Sequence, residues 1–180
     1  MLGYLFRGSS SPVNVSADAA SSSPHAPEGR EAPPSAESLR PLAAPLRKAL
    51  ELDPQSWKTL VELGNLYYDH QRYSEAAPYY ERALALRPDD VNVRTDLGTA
   101  FWYAGFPEKA VREFEKALAV EDHYPQTLFN LGIVRLEGLK DPAGAIAAWE
   151  KLLEKNPQYA EKQRVLGLIA QARSRQESPR

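Results

Sequence analysis

The side chains that could carry out catalysis or bind a metal are few in this chain and poorly placed for either task. None of the three histidines, His25, His70 and His123, has a second ligand at the one-turn spacing of a helical metal site. Glu121-Asp122-His123 has the composition of a metal cluster, but such a run is more often a solvated charged loop. The serines concentrate before residue 36, far from a general base, and no glycine-rich phosphate loop occurs. The sequence therefore predicts no catalytic activity, no cofactor and no metal.

Composition narrows the class of partner. The 180 residues carry 22 basic and 24 acidic side chains, and the formal net charge is -2. No excess of positive charge therefore attracts the protein to nucleic acid. Cysteine is absent, which excludes disulfides and thiolate metal sites.

The chain contains an internal sequence repeat with a period of 34 residues. Leu63-Gly64 recurs as Leu97-Gly98 and again as Leu131-Gly132, and aromatic and alanine positions shift by the same step. A period in the thirties is typical of units of two short helices, which cannot bury their own apolar faces and must stack on a neighbour. The sequence therefore predicts an all-α fold whose stacked units offer a binding surface.

Proline positions and hydrophobic periodicity set the predicted boundaries. Pro54 closes a degenerate helix that precedes the repeats, and because Pro41 and Pro45 disfavour helix interiors, we expect this helix to start near Pro45. At the C-terminal end of the stack, residues 160–173 have apolar side chains on one side and polar side chains on the rest, as a capping helix requires. The predicted units are a helical domain over 36–175, repeats at 57–90, 91–124 and 125–159, a capping helix over 160–173 and a frayed tail at 176–180.

Residues 1–35 differ in composition from the rest of the chain. Ser, Pro and Ala dominate, so this segment cannot bury enough apolar surface to offset the entropy of ordering, and we expect it to be disordered. Residues 1–7 are apolar up to Phe6 and end in Arg7, and they are either a floppy terminus or the remnant of a membrane anchor. The sequence as written predicts a soluble cytoplasmic protein. The alternative is a membrane-anchored protein with its repeat domain on the extracytoplasmic side.

The landmarks within each unit resemble those of the tetratricopeptide repeat. The family pattern has Leu-Gly and an aromatic residue in the first helix, then a small residue, an aromatic and a small residue in the second. Repeat three departs from it at Arg135 and Leu152. The resemblance implies a right-handed solenoid of three helix-turn-helix repeats with helical caps at both ends. The matching residues are Leu63, Gly64, Tyr67, Ala76, Tyr80 and Ala83; Leu97, Gly98, Phe101, Ala110, Phe114 and Ala117; and Leu131, Gly132, Ala145 and Trp149.

The resemblance also implies where a partner binds, because family members hold peptide segments on a concave face lined by the first helix of each repeat. Here that face carries aromatic and amide side chains, which argues against the basic clamp that holds a chaperone's C-terminal carboxylate. We expect a protein or peptide segment with apolar anchors, and Trp102 is either a groove residue or a packing residue. The expected groove residues are Lys58, Val61, Asn65, Tyr68, Thr95, Thr99, Trp102, Phe129, Asn130 and Ile133.

Two short tracts show a narrower resemblance. Residues 144–153 and 94–99 are similar to tetratricopeptide modules of bacterial cytochrome c biogenesis, which hold a segment of an apocytochrome. Three functional hypotheses follow. The protein is a noncatalytic adaptor in the assembly of another complex, or a cytochrome-assembly module that holds an apoprotein segment. Alternatively, it is a structural protein whose third repeat stacks on a second copy.

Overall fold

Helices make up nearly all of the computed structural model, which describes residues 36–177. The predictions for residues 1–35 and 178–180 lie outside the described residues. Within the described part, eight α-helices and one short π-helix occur without any strand, which confirms the all-α fold. The helices are α1 (Ala36–Leu52), α2 (Trp57–Asp69), α3 (Tyr73–Leu86), α4 (Val91–Tyr103), α5 (Pro107–Val120), α6 (Pro125–Ile133), α7 (Pro142–Lys155) and α8 (Lys162–Glu177), with the π-helix at Val134–Gly138.

The turn within each repeat depends on one residue in the left-handed region. Gln71 has φ 60°, Gly105 has φ 87° and Lys140 has φ 54°. Each stands at the same place between the two helices of its repeat, and only repeat two supplies the glycine that this backbone favours. Helix capping adds local definition, since Asp90 Oδ1 accepts the Val93 N–H at 2.9 Å and Asp141 Oδ1 accepts the Gly144 N–H at 2.8 Å. The chain therefore reverses direction at regular intervals.

Glycine in the first helix of each repeat receives a ring from the second helix. A Cβ added at Gly64 would lie 2.5 Å from the Tyr80 ring, and one added at Gly98 would lie 2.4 Å from the Phe114 ring. Both rings are fully buried. Close approach of the two helices at this point therefore outweighs the helix propensity that glycine sacrifices, about 1 kcal/mol relative to alanine.

The first helix of repeat three ends in a π-helix over Val134–Gly138. The Leu139 N–H donates to the carbonyl of Val134, five residues earlier, at 3.1 Å. Repeat three contains one residue more than the others, and a π-turn absorbs a single inserted residue without breaking the helix. The extra residue therefore lies before Lys140, inside the helix.

Both end helices extend beyond their predicted bounds. α1 begins at Ala36, nine residues before Pro45, and α8 ends at Glu177 and not at residue 173. Pro41 and Pro45 lie within α1 with exposed side chains. Carbonyl groups that lose a donor on that side of the helix can bond to water, which lowers the cost of each proline.

Two tyrosines at the junctions between repeats give a prediction for alkaline pH. Burial raises the pKa of Tyr124 and of Tyr159 from 10.0 to about 12, and nearby carboxylates add to each shift. Since each folded-state pKa lies above the unfolded value, the contribution to stability is complete below pH 10 and is lost as pH rises through about 12. We expect the Tyr124→Phe/Tyr159→Phe variant to lose less stability than the wild type between these pH values in urea unfolding. Parallel pH profiles of the two proteins would contradict this.

Candidate functional site

Four of the expected groove residues lie along α2, at spacings that place them on one side of the helix. Lys58 is exposed, and Val61, Asn65 and Tyr68 are half-buried. The Lys58 ammonium lies 3.8 Å from the Glu62 carboxylate, an exposed pair one turn apart. We call Lys58, Val61, Asn65 and Tyr68 the α2 face. A partner can reach at least part of every one of these residues.

Asn65 is held in place by a residue of the second helix. Its Oδ1 accepts a hydrogen bond of 2.8 Å from the Tyr80 hydroxyl, whose ring is buried against Gly64. This bond assigns the oxygen of the amide to the interior, and within residues 36–177 no further hydrogen bond of the Asn65 side chain is found. The Nδ2 group is therefore positioned to donate to a carbonyl of a bound segment.

Tyr68 belongs to a cluster of three rings from three helices. Its ring meets Tyr73 edge to face at 5.2 Å and Tyr103 at 6.3 Å, while Tyr73 and Tyr103 stack at 4.8 Å between centroids. Burial of the Tyr68 hydroxyl raises its pKa well above 10.0, and the neighbouring Tyr103 and Tyr73 add smaller increases. A hydrogen bond to Thr99 acts in the opposite direction and lowers the pKa of Tyr68. Tyr68 therefore stays neutral and presents an aromatic edge beside Asn65.

The three expected residues of α4 are buried, Thr95 and Trp102 against repeat three and Thr99 beside Tyr68 of repeat one. Thr95 Oγ1 donates to the Val91 carbonyl at 2.8 Å and lies 2.6 Å from Thr127 Oγ1 of α6. Thr99 Oγ1 donates to the carbonyl of Asp96 at 2.8 Å. Trp102 packs so closely on Gly138 that a Cβ there would lie 2.5 Å from the indole. For Trp102 the structure therefore supports the packing role.

The three expected residues of α6 are also buried. Phe129 and Asn130 have no accessible surface and Ile133 has almost none. Arg164 of α8 places its guanidinium 4.9 Å from the centre of the Phe129 ring, and the Phe129 carbonyl accepts the Trp149 Nε1–H at 3.1 Å. α8 thus lies next to α6, the first helix of repeat three.

Six of the ten expected groove residues are therefore inaccessible to a partner in this structure. The reason is that the side of α4 and α6 that carries them packs against neighbouring helices of the solenoid, so these positions contribute to the core. The sequence did not identify Tyr73, because it opens the second helix of its repeat and reaches the α2 face only through the fold. The inaccessible residues are Thr95, Thr99, Trp102, Phe129, Asn130 and Ile133.

The charge of this surface does not suit an anionic ligand. α2, α4 and α6 together carry two basic residues, Lys58 and Arg94. Arg94 is held by Glu113, with 2.8 Å between its Nη1 and the carboxylate Oε2. Binding of a free carboxylate benefits from several converging cations. One exposed lysine already near Glu62 does not supply them.

Across residues 36–177, His, Asp and Glu side chains nowhere gather in threes as a metal ion would require. No helix in that same part of the chain is both long enough and apolar enough to cross a membrane.

Family models match most of the helical region. A tetratricopeptide repeat model matches residues 57–90, and a second tetratricopeptide repeat model matches residues 95–160. Together they cover more than half of the chain. The chain is 31% identical over 117 residues to a probable UDP-N-acetylglucosamine–peptide N-acetylglucosaminyltransferase SPINDLY of Hordeum vulgare. That match includes 61% of this chain but 12% of the relative, so the chain spans only a small part of this curated protein.

Solved structures share the arrangement of helices. The crystal structure of MamA protein aligns over 78% of this chain and 84% of its own, with a TM-score of 0.62 and 21% identity. The first repeat domain of Spaghetti (RPAP3), bound to the HSP90 peptide SRMEEVD, aligns over 68% of this chain and 96% of its own. Its TM-score is 0.60 and its identity is 25%. The solenoid is therefore shared with domains that include a peptide binder.

Proposed function

Because the chain belongs to the tetratricopeptide repeat family, we propose that it is a noncatalytic adaptor that binds a peptide segment of another protein. The main support is the α2 face, where the fixed amide of Asn65 and the neutral aromatic edge of Tyr68 lie side by side within reach of a partner. Amide donors of this kind hold a peptide backbone, and aromatic edges receive apolar side chains. Nothing in this arrangement requires a reaction.

The partner we propose is an extended or helical segment with an apolar anchor. Val61 and Tyr68 would contact the anchor, Asn65 Nδ2 would donate to a backbone carbonyl, and Lys58 would lie at the rim. Binding would centre on repeat one, because the corresponding positions of α4 and α6 are buried. A surface of this size buries a modest area, so we expect an affinity on the order of micromolar.

The comparison with the HSP90-peptide complex sharpens this proposal. The peptide SRMEEVD seen with Spaghetti (RPAP3) is acidic and ends in a carboxylate. The α2 face has Lys58 as its one basic residue, and Glu62 stands beside it. We therefore propose that a peptide of that kind is a poor ligand here. A role in the assembly of another complex, including one that holds an apoprotein segment, stays a prediction.

A peptide-display selection against the full 180-residue chain tests the proposal. The best selected peptide would be titrated by fluorescence anisotropy against the wild type, Asn65→Ala and Tyr68→Ala. We expect each substitution to raise Kd at least about tenfold, since each removes one anchor. Tyr79→Ala is the matched control. Tyr79 is half-buried on α3, stacks on Tyr67 at 5.5 Å and is not part of the α2 face, so binding should be retained.

Two results would contradict the proposal. One is a peptide that binds the wild type, Asn65→Ala and Tyr68→Ala equally well while thermal unfolding shows all three folded. The other is tight binding of SRMEEVD itself, because one exposed lysine cannot account for recognition of its acidic end.

A further inference from the structure

α8 has the register of a first helix in a fourth repeat. Leu166-Gly167 follows Leu131-Gly132 by 35 residues, which is the period of 34 plus the one extra residue of repeat three. Val165, Ile169 and Ala172 of α8 are buried in the core that α7 shares. α8 therefore continues the stack in the way that α4 and α6 do.

The side of α8 that would receive its own second helix is open. An added Cβ at Gly167 would meet no atom within 4 Å, whereas the glycines of the three complete repeats each face a ring. Leu166 is 42% exposed, although its counterpart Leu131 is 7% exposed. Within residues 36–177, no helix covers Leu166 and Gly167. We call these two residues, with the exposed Ala170, the α8 face.

α1 is open on the complementary side, because it has the register of a second helix and no first helix precedes it within residues 36–177. Leu42 and Leu46 precede Ala76 and Tyr80 of α3 by 34 residues each. Ala76 and Tyr80 are fully buried in their repeat, whereas Leu42 is 52% exposed and Leu46 is half-buried. The other side of α1 packs in the core that α2 shares, through residues such as Leu39. We call Leu42, Leu46 and the half-buried Ala49 the α1 face.

We propose that two copies of this chain associate head to tail, with the α8 face of one copy on the α1 face of the next. The pair would form a composite repeat in which Leu46 takes the place over Gly167 that Tyr80, Phe114 and Trp149 take over the other glycines. The template for this interface is the packing of the three complete repeats within the chain itself. This inference is independent of the proposed peptide binding and goes beyond it.

The charges at the ends of α8 and α1, and the continuity of the helical stack, favour a second copy of this chain as the partner of the two faces. The helices of a repeat run antiparallel, so the start of α8 would lie near the end of α1, where the exposed Lys162 and Glu51 have opposite charges. Successive first helices also adjoin, as the contact between Thr95 and Thr127 shows, so α8 would neighbour α2 of the second copy as well. One copy offers both faces, and the interface is heterologous and does not close on itself as a dimer.

Sedimentation velocity on the full chain tests the proposal over about 5 to 500 micromolar, a range suited to an interface built from few helices. We expect the wild type to form dimers and longer species as concentration rises. Leu42→Glu and Leu166→Glu should each remain monomeric alone, because each loses one of the two faces. An equimolar mixture of the two should form a 1:1 dimer and stop there, since each copy retains one intact face. Val120→Glu, at an exposed apolar residue of α5, is the control and should associate like the wild type.

Each other outcome overturns the proposal. If the wild type stays monomeric at every concentration, the head-to-tail association is excluded, and the partner of the α8 face would be a helix of a different protein. Self-association of Leu42→Glu alone would show an α8-to-α8 interface, and failure of the mixture to dimerise would show that the two faces do not meet. Gly167→Gln is a second α8 variant, since its side chain enters open space and leaves the chain's own packing unchanged. It should behave like Leu166→Glu. Peptide binding through Asn65 and Tyr68 should survive in all these variants.

Discussion

We expect the Trp149→Ala substitution to lower the free energy of unfolding by about 3–5 kcal/mol, the loss typical of a large aromatic removed from a core. Trp149 has no accessible surface, and its indole covers Gly132 in the third repeat. Its Nε1–H also donates to the Phe129 carbonyl at 3.1 Å, so the truncation leaves a buried acceptor without that donor. Urea unfolding, followed by the circular dichroism signal of the helices, measures the change.

Trp57→Ala is the matched control for this loss. Trp57 is half-buried at the start of α2, and the Arg87 guanidinium lies 4.1 Å from the centre of its ring. Truncation there removes less buried surface and leaves no comparable cavity, so the loss should be clearly smaller. Equal losses for the two tryptophans would show that Trp149 does not anchor the core of repeat three.

We expect Gly132→Ala to destabilise the fold by about 1–3 kcal/mol, even though alanine favours helix over glycine. A Cβ at this position would lie 2.1 Å from Trp149 Nε1 and 2.3 Å from its Cε2, so the indole must move. Gly167→Ala is a control in the same register of the next helix, where the added methyl meets no atom within 4 Å. It should stabilise the monomer by about 0.5–1 kcal/mol. Both variants would be compared by urea unfolding at low protein concentration.

A double-mutant cycle identifies the cause of the Gly132 effect. In the Trp149→Ala background the clashing ring is gone, so Gly132→Ala should cost much less than it does in the wild type. Additive losses, or an equal sign for Gly132→Ala and Gly167→Ala, would mean that the ring does not set the requirement for glycine.

The repeat architecture could be predicted from the sequence because its determinants are local and periodic. The step from Leu63-Gly64 to Leu97-Gly98 indicates two-helix units, and second helices begin at Pro107 and Pro142, where proline suits the first turn. The expected groove came from the resemblance to the tetratricopeptide repeat, and four of its residues, those of the α2 face, are accessible. A period locates equivalent positions along the chain, since every unit presents the same helix faces.

The accessibility of those positions was decided by the tertiary structure alone. Thr95 and Phe129 are equivalent in register to Val61, yet they are buried because another helix adjoins each of them. The same rule explains the ends, where Leu42 and Leu166 stay exposed because within residues 36–177 no helix packs on them. Register follows from the order of residues, whereas burial depends on which neighbour occupies the adjoining place in the stack. The sequence by itself therefore determined the repeating unit, and only the assembled solenoid decided which of its faces a partner can touch.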